Sequence, residues 1–230
     1  MDASFFDKRS YPVASARRGY GEWAATYEET VAAGLDEPLL ARLNSIDWGS
    51  IGEAVDLACG TGRTGAWLKA QGLTAIDGVD ITPEMLALAE KRRVYRSLSV
   101  GDVAASGLSG AAYGLVTMSL ADEHLAELPP AYREAARLLR PEGRFLLLGY
   151  HPFFLMNGLV THFHRADGEA VTIQSYVHQL SDHFRAGSAA GLRLVAFDEC
   201  VIDDGWLKRK PKWRPYLNWP VSFAMVWERA

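Results

Sequence analysis

Short apolar runs recur along the chain and alternate with amphipathic stretches, the pattern of strands covered on both faces and of the helices that cover them. Residues 54–58 (AVDLA) read as a first strand, interrupted only by Asp56. A glycine-rich turn at 59–65 follows, and 66–71 begins or continues a helix. A second strand runs from about Ala75 to Val79 and ends at Asp80. Thr82, Pro83 and Glu84 then open a helix with Met85, Leu86, Leu88 and Ala89 on its apolar face. Threonine there is suited to cap free backbone N–H groups, and proline suits the first helical position.

The same alternation continues to the C-terminus. Residues 98–100 and 114–119 (GLVTMS) read as strands, and 129–140 as a helix with Tyr132, Ala135, Ala136 and Leu139 facing inward. Pro141, Glu142 and Gly143 stop that helix before the continuous apolar strand 144–149 (RFLLLG). Residues 192–197 and 222–227 supply two more strands. The expected architecture is α/β, a doubly wound, mostly parallel sheet of seven strands.

Two stretches stand outside this alternation. In residues 10–46, Tyr20, Trp23, Ala24, Tyr27 and Val31 recur at helical spacing and form one aromatic face, either amphipathic core or a lid. Between the fifth and sixth strands, residues 161–165 and 170–177 flank Ala166, Asp167, Gly168 and Glu169, an Asp-Gly hairpin signal. Neither stretch is large enough for a separate domain. The reading is a single domain over 1–230, with a helical lid at 1–48, a ligand-binding core at 50–150 and a pocket insertion at 151–190.

Composition narrows the possibilities. With 230 residues, 49% hydrophobic, 23% charged and a net charge of −4, the chain can bury a core and is not globally disordered. The acidic balance argues against nucleic acid as the main partner. Lys208, Arg209, Lys210, Lys212 and Arg214 form a local exception, either a solvated loop or a patch for an anionic substrate. Cys59 and Cys200 make neither a disulfide framework nor a metal set and fit a reducing compartment. No apolar run reaches the ~20 residues of a membrane span, and the N-terminus has no secretory pattern, so a cytoplasmic protein is expected.

The candidate chemistry starts at Val55–Gly65 (VDLACGTGRTG). Glycines allow a tight turn and close backbone approach, and the helix that follows offers free N–H groups to an anionic group. Gly60-x-Gly62-x-x-Gly65 alone also fits a dinucleotide fingerprint. Asp56 weighs against a pyrophosphate and suits a cationic ligand, while Asp80, at the next strand end, can accept from ribose hydroxyls in either case.

Taken in order, VDLACGTGRTG, GVDIT with Asp80, GDVAA with Asp102, LVTMSLADEHL and RLLRPEGRFLL resemble the motifs of the class I S-adenosylmethionine (SAM)-dependent methyltransferases, particularly the ubiquinone/menaquinone-type small-molecule enzymes. The resemblance covers roughly residues 50–150, and YGEWAATYEE resembles that family's aromatic lid. It implies a Rossmann-like methyltransferase fold whose last strand, at 221–227, runs antiparallel. It also implies SAM as cofactor, with S-adenosylhomocysteine as its product. Cofactor contacts would fall on Asp56, Ala58, Gly60, Gly62, Asp80, Ile81, Asp102, Val103 and Ser119, with Tyr27 from the lid. Gly65 would serve helix–sheet packing.

Methyl transfer from a sulfonium needs alignment, exclusion of water and, for some acceptors, removal of a proton. His124 and His151 follow the fourth and fifth strands and are the candidate bases; each is also open to a structural reading. Asp122 and Glu123 read as helix-starting acids. His162 and His164 share a strand face but lack a third ligand, so no metal is expected. Phe153, Phe154, Trp206, Trp213, Tyr216 and Trp219 could form an aromatic substrate wall. The expected activity is methyl transfer from SAM to a small-molecule acceptor, with a non-catalytic SAM-binding module and an NAD-type oxidoreductase as the alternatives. The acceptor and the oligomeric state stay open.

Overall fold

The computed structural model describes residues 1–31 and 35–230, so positions 32–34 of the expected lid lie outside the described residues. After a 3-10 turn at Ala3–Phe5 come strand β1 (Val13–Ala14) and helix α1 (Ala16–Trp23), whose first turn is capped by the Ser15 hydroxyl accepting from the Arg18 N–H. The aromatic face does not form one helix. It breaks into a 3-10 turn at Ala24–Thr26 and a short α2 (Tyr27–Thr30). Thr30 secures the break, donating to the Thr26 carbonyl at 2.8 Å and accepting from the Trp23 indole at 2.7 Å. In α3 (Glu37–Leu40), Leu39 and Leu40 turn into the core.

The central layers then alternate: β2 (Glu53–Leu57), α4 (Arg63–Ala70), β3 (Ala75–Asp80), α5 (Pro83–Arg92), β4 (Ser97–Val100), β5 (Tyr113–Ser119), α6 (Pro129–Leu138) and β6 (Leu139–Tyr150). The expected helix at 129–140 stops earlier, because Leu139 already pairs with Tyr113, and Glu142 takes a left-handed conformation as β6 passes its irregularity. Thr82 does not cap α5 with its side chain. Its own N–H instead donates to the Asp80 carboxylate at 2.8 Å.

After β6 come α7 (Pro152–Met156), the hairpin of β7 (His162–His164) and β8 (Ala170–Ile173), α8 (Leu180–Ala189), β9 (Leu192–Val201), α9 (Asp204–Arg209) and β10 (Pro220–Arg229). The main sheet has seven strands in the order β4-β3-β2-β5-β6-β10-β9, parallel from β4 to β6. β10 is antiparallel to both β6 and β9. Both faces are buried, as the continuous apolar runs require. Val55, Val116, Phe145, Phe223 and Trp227 pack with α6 and α8 on one face, and Ile76, Leu115, Leu146, Leu148 and Val226 pack with Leu39, Leu68 and Trp206 on the other.

A second, three-stranded sheet, β1-β8-β7, holds the N-terminal segment against the hairpin. α1 lies on this sheet so closely that a Cβ at Gly19 would sit 2.9 Å from Ile173. Trp23 stacks on Phe163 with ring centres 5.6 Å apart. No helix among the described residues is long and apolar enough to cross a membrane.

Candidate functional site

From β2 the chain winds outward through β3 and β4, then crosses back to β5 and β6 on the other side. Strand order therefore reverses between β2 and β5, and ligands of open α/β sheets bind at the carboxyl ends of such a switch point. A crevice of about 260 Å³ lies there. The glycine-rich turn, the ends of β3 and β5, the loop after β4 and the N-terminal segment line it.

The turn is built for close approach. Ala58, Gly60 and Gly62 all take left-handed backbone conformations. At Gly60 a Cβ would meet nothing within 4 Å, so its open side faces the crevice. Gly62 and Gly65 serve packing instead: Cβ atoms there would lie 3.0 Å and 2.3 Å from the Tyr95 ring. Tyr95 is thereby brought under the turn, and its hydroxyl donates to Asp56 at 2.7 Å.

Asp56, one residue before the end of β2, and Asp80, the last of β3, stand in different places. Asp56 lies below the turn, outside the crevice lining, where it accepts from the Tyr95 and Thr117 hydroxyls, each at 2.7 Å. Burial pushes its carboxyl up to about 6, against the pull of those two donors. A direct contact between Asp56 and a bound ammonium therefore does not fit this geometry. Asp80 does line the crevice. Its two oxygens accept from the Gly60 and Thr82 N–H groups at 2.7 and 2.8 Å, and burial pushes its carboxyl up.

Tyr27, Ala58, Ile81, Asp102, Val103 and Ser119 also line the crevice. Asp102 accepts from the Ala104 N–H at 2.8 Å, which orients one of its oxygens. The two candidate bases part company. His124 lines the crevice, whereas His151 caps α7, accepting from the Phe153 N–H at 3.1 Å and donating to Glu199 at 2.8 Å. With both ring nitrogens engaged away from the crevice, and burial holding its proton affinity down, His151 is not placed to act as a base there.

His124 makes a pair that its position in the sequence does not reveal. Its Nδ1 lies 2.8 Å from the Gln174 carbonyl, an oxygen that can only accept, so Nδ1 carries the hydrogen. Nε2 is then the acceptor, and the Tyr20 hydroxyl donates to it at 2.9 Å. Burial, reinforced by Tyr27, Glu123 and Asp80, pushes the Tyr20 hydroxyl well above the ordinary phenol range, so Tyr20 keeps its proton.

The N-terminal segment is tied over the crevice at further points. Glu28 accepts from the Thr61 hydroxyl and from Arg92 (2.8 Å), and Arg92 also donates to the Thr61 carbonyl at 2.6 Å. Asp36 pairs with Arg63 at 3.2 Å, and both line the crevice. The only sequence signal for Arg63 was its place in the first turn after the glycines.

The remaining candidates lie elsewhere. Asp122 and Glu123 form a buried 3-10 turn with His124 rather than the start of a helix. His162 and His164 are on the exposed face of β7, where His162 contacts Arg9 at 2.8 Å. Among the described residues, no group of three or more His, Cys, Asp or Glu is placed to hold a metal ion. In the basic run, Arg209 lies over Trp206 and Lys210 over Trp213, each about 5.7 Å from the ring centre. That run does not line the crevice. Phe154 packs with Trp213, Tyr216 and Trp219, which form an aromatic cluster against the sheet rather than a wall of the crevice.

Comparison with known proteins places these features. Residues 55–147 match the methyltransferase domain family. The chain is similar to the demethylmenaquinone methyltransferase of Thermus thermophilus, 33% identical over 103 residues, covering 43% of this chain and 47% of that protein. It is also similar to the malonyl-[acyl-carrier protein] O-methyltransferase of Serratia marcescens, 30% identical over 135 residues, covering 58% and 51%. The matches thus span about half the length of these two curated relatives. In fold, it is similar to an S-adenosylmethionine-dependent methyltransferase from Mesorhizobium loti, with a TM-score of 0.69 at 18% identity, covering 86% of this chain and 99% of the other. Residues 55–147 thus carry the sequence pattern of a methyltransferase domain, and the fold is that of S-adenosylmethionine-dependent methyltransferases.

Proposed function

We propose that the protein transfers a methyl group from SAM to a small-molecule acceptor. The observation that carries this reading is the crevice at the switch point, which combines an open glycine cradle, a strand-end carboxylate and a tyrosine–histidine pair. The residues fit the cofactor. Gly60 leaves the space that a nucleoside-bearing ligand needs, and Asp80 keeps lone pairs for ribose hydroxyls beyond those used by Gly60 and Thr82. Asp102 and Val103 line the crevice and would contact the adenine, and Arg63 and the first turn of α4 can face a carboxylate.

SAM, when bound, supplies a methyl group on a sulfonium, a leaving group already activated by its charge. The chain then has three tasks: aligning the acceptor, excluding water and taking up a proton. Tyr20 and Tyr27 cover the crevice from the N-terminal segment, and aromatic faces attract a cationic sulfur. Tyr20 keeps its own proton, so the group that accepts is His124, through the Tyr20 hydroxyl. The names of the two relatives, a demethylmenaquinone methyltransferase and a malonyl-[acyl-carrier protein] O-methyltransferase, support methyl transfer without choosing the acceptor atom for this chain.

The buried position of Asp56 removes it as an argument against a dinucleotide; the match of residues 55–147 to a methyltransferase domain supports SAM instead. Incubation with methyl-labelled SAM and a panel of amine, carboxylate, phenol and quinol acceptors tests the proposal. Label is expected in at least one acceptor. SAM binding without label transfer to any of them would favour a non-catalytic SAM-binding module.

A further inference from the structure

Behind the Tyr20–His124 pair lies an acidic pocket that methyl transfer, as described so far, does not use. Glu123 and Asp122 are 4% and 2% exposed, on the same 3-10 turn as His124. Glu123 Oε1 lies 3.6 Å from His124 Nε2, the nitrogen that accepts from Tyr20. Its other oxygen, and Asp122 Oδ1, are buried with no hydrogen-bond partner among the described residues. Neither carboxyl is ion-paired to a lysine or arginine among those residues; the imidazoles within 4 Å of them are His124 and His183.

His183 does not fill that role. Burial pushes its proton affinity down, to about 3, and its Nε2, 3.5 Å from Asp122, finds no partner. Asp122 is pushed up, by burial first and by Glu123 second. A buried charge without a partner is costly, and an arrangement that leaves a carboxylate beside an imidazole has a use when the imidazole becomes charged. The other titratable groups facing these side chains are Tyr27 from α2, Asp80 from the end of β3, Tyr150 at the end of β6 and His178 ahead of α8.

We propose that Glu123 is the counter-charge for the proton that the Tyr20–His124 pair takes from the methyl acceptor. The inference rests on the methyl-transfer reading and makes Glu123 a positioning residue acting through His124. As the acceptor atom bonds to the methyl carbon, the carbon–sulfur bond breaks and sulfur keeps its electron pair. The acceptor's proton passes to the Tyr20 oxygen as the Tyr20 proton passes to His124 Nε2. Both ring nitrogens then carry hydrogen, Nδ1 still donating to Gln174 and Nε2 facing Glu123. Such a site suits acceptors that carry a removable proton on nitrogen or oxygen.

The test needs no knowledge of the acceptor. Full-length protein with 15N-labelled histidine, bound to S-adenosylhomocysteine, is followed by long-range 15N–1H NMR as pH is lowered, for the wild type, E123Q and E123D. In E123Q the His124 ring is expected to take its second proton with about tenfold lower affinity, E123D recovering most of the loss. Equal proton affinity in wild type and E123Q, with the remaining amide signals unmoved, overturns the proposal. If E123Q does not fold, E123D decides alone: a partial loss supports the role, and no change refutes it. Label transfer in the acceptor panel separates the two claims. Absence of product with the ring response intact removes methyl transfer, while product formation with no ring response removes only Glu123.

Discussion

At the scale of single residues, the site turns on which carboxylates are turned toward the crevice. Asp80 lines it, and the two backbone N–H groups it accepts hold its side chain at the end of β3. Hydrogen bonds to a charged group contribute about 1.5–3 kcal/mol, so D80A is expected to weaken S-adenosylhomocysteine binding by roughly 10- to 100-fold in calorimetry, with the far-ultraviolet spectrum unchanged. Asp56 acts on stability instead. Its folded-state carboxyl is raised from 3.8 to about 6, so the stability it contributes is present below about pH 4 and is lost as pH rises through 6. The wild type should therefore lose on the order of 2 kcal/mol from this group between about pH 4 and pH 7, a slope that D56N removes in urea unfolding. An unchanged slope in D56N would show that Asp56 is ionised at no cost. The two aspartates could be found in the sequence, since one interrupts an apolar run and the other ends one, but their difference could not. It depends on Tyr95, which reaches Asp56 from the far end of α5, and on Thr117 of the neighbouring strand. His124 was equally visible as a residue and equally ambiguous, because its partner Tyr20 lies 104 positions away.

At the scale of elements, two junctions hold the site in shape. The first is the contact of α4 with the Tyr95 ring, made possible by the missing side chain at Gly65. In G65A the added methyl would overlap the ring and push it from Asp56, so a loss of about 1–3 kcal/mol in thermal or urea unfolding is expected. The second is the seam between the N-terminal segment and the glycine turn, where Glu28 meets Thr61 and Arg92. Because Glu28 and Arg92 are 45% and 32% exposed, the tie is worth at most about 1 kcal/mol. E28Q should therefore speed release of S-adenosylhomocysteine by no more than about fivefold in stopped-flow displacement, an effect that shrinks with added salt. A much larger change would mean that Glu28 touches the ligand. Periodicity showed the aromatic face of this segment but not its break after Trp23, which depends on the Thr30 hydroxyl. Nor did it show β1, whose two residues take their strand form from pairing with β8.

At the scale of the whole molecule, function follows from strand order. The reversal between β2 and β5 opens the crevice, and the N-terminal segment closes it from above by way of the small β1-β8-β7 sheet. Seven apolar runs and the glycine turn made the main sheet legible, because a sheet buried on both faces leaves a continuous hydrophobic record. The small sheet left a weaker trace, for only its Asp-Gly hairpin was visible in the chain. The central claim is that this crevice holds the adenosyl group of SAM, and titration calorimetry with S-adenosylhomocysteine and NAD as paired ligands tests it most directly. The account predicts one-site binding of S-adenosylhomocysteine to the wild type, at least about tenfold weaker binding to D80A, and no heat with NAD. Saturable binding of NAD with none of S-adenosylhomocysteine, or an affinity untouched by D80A, would contradict it.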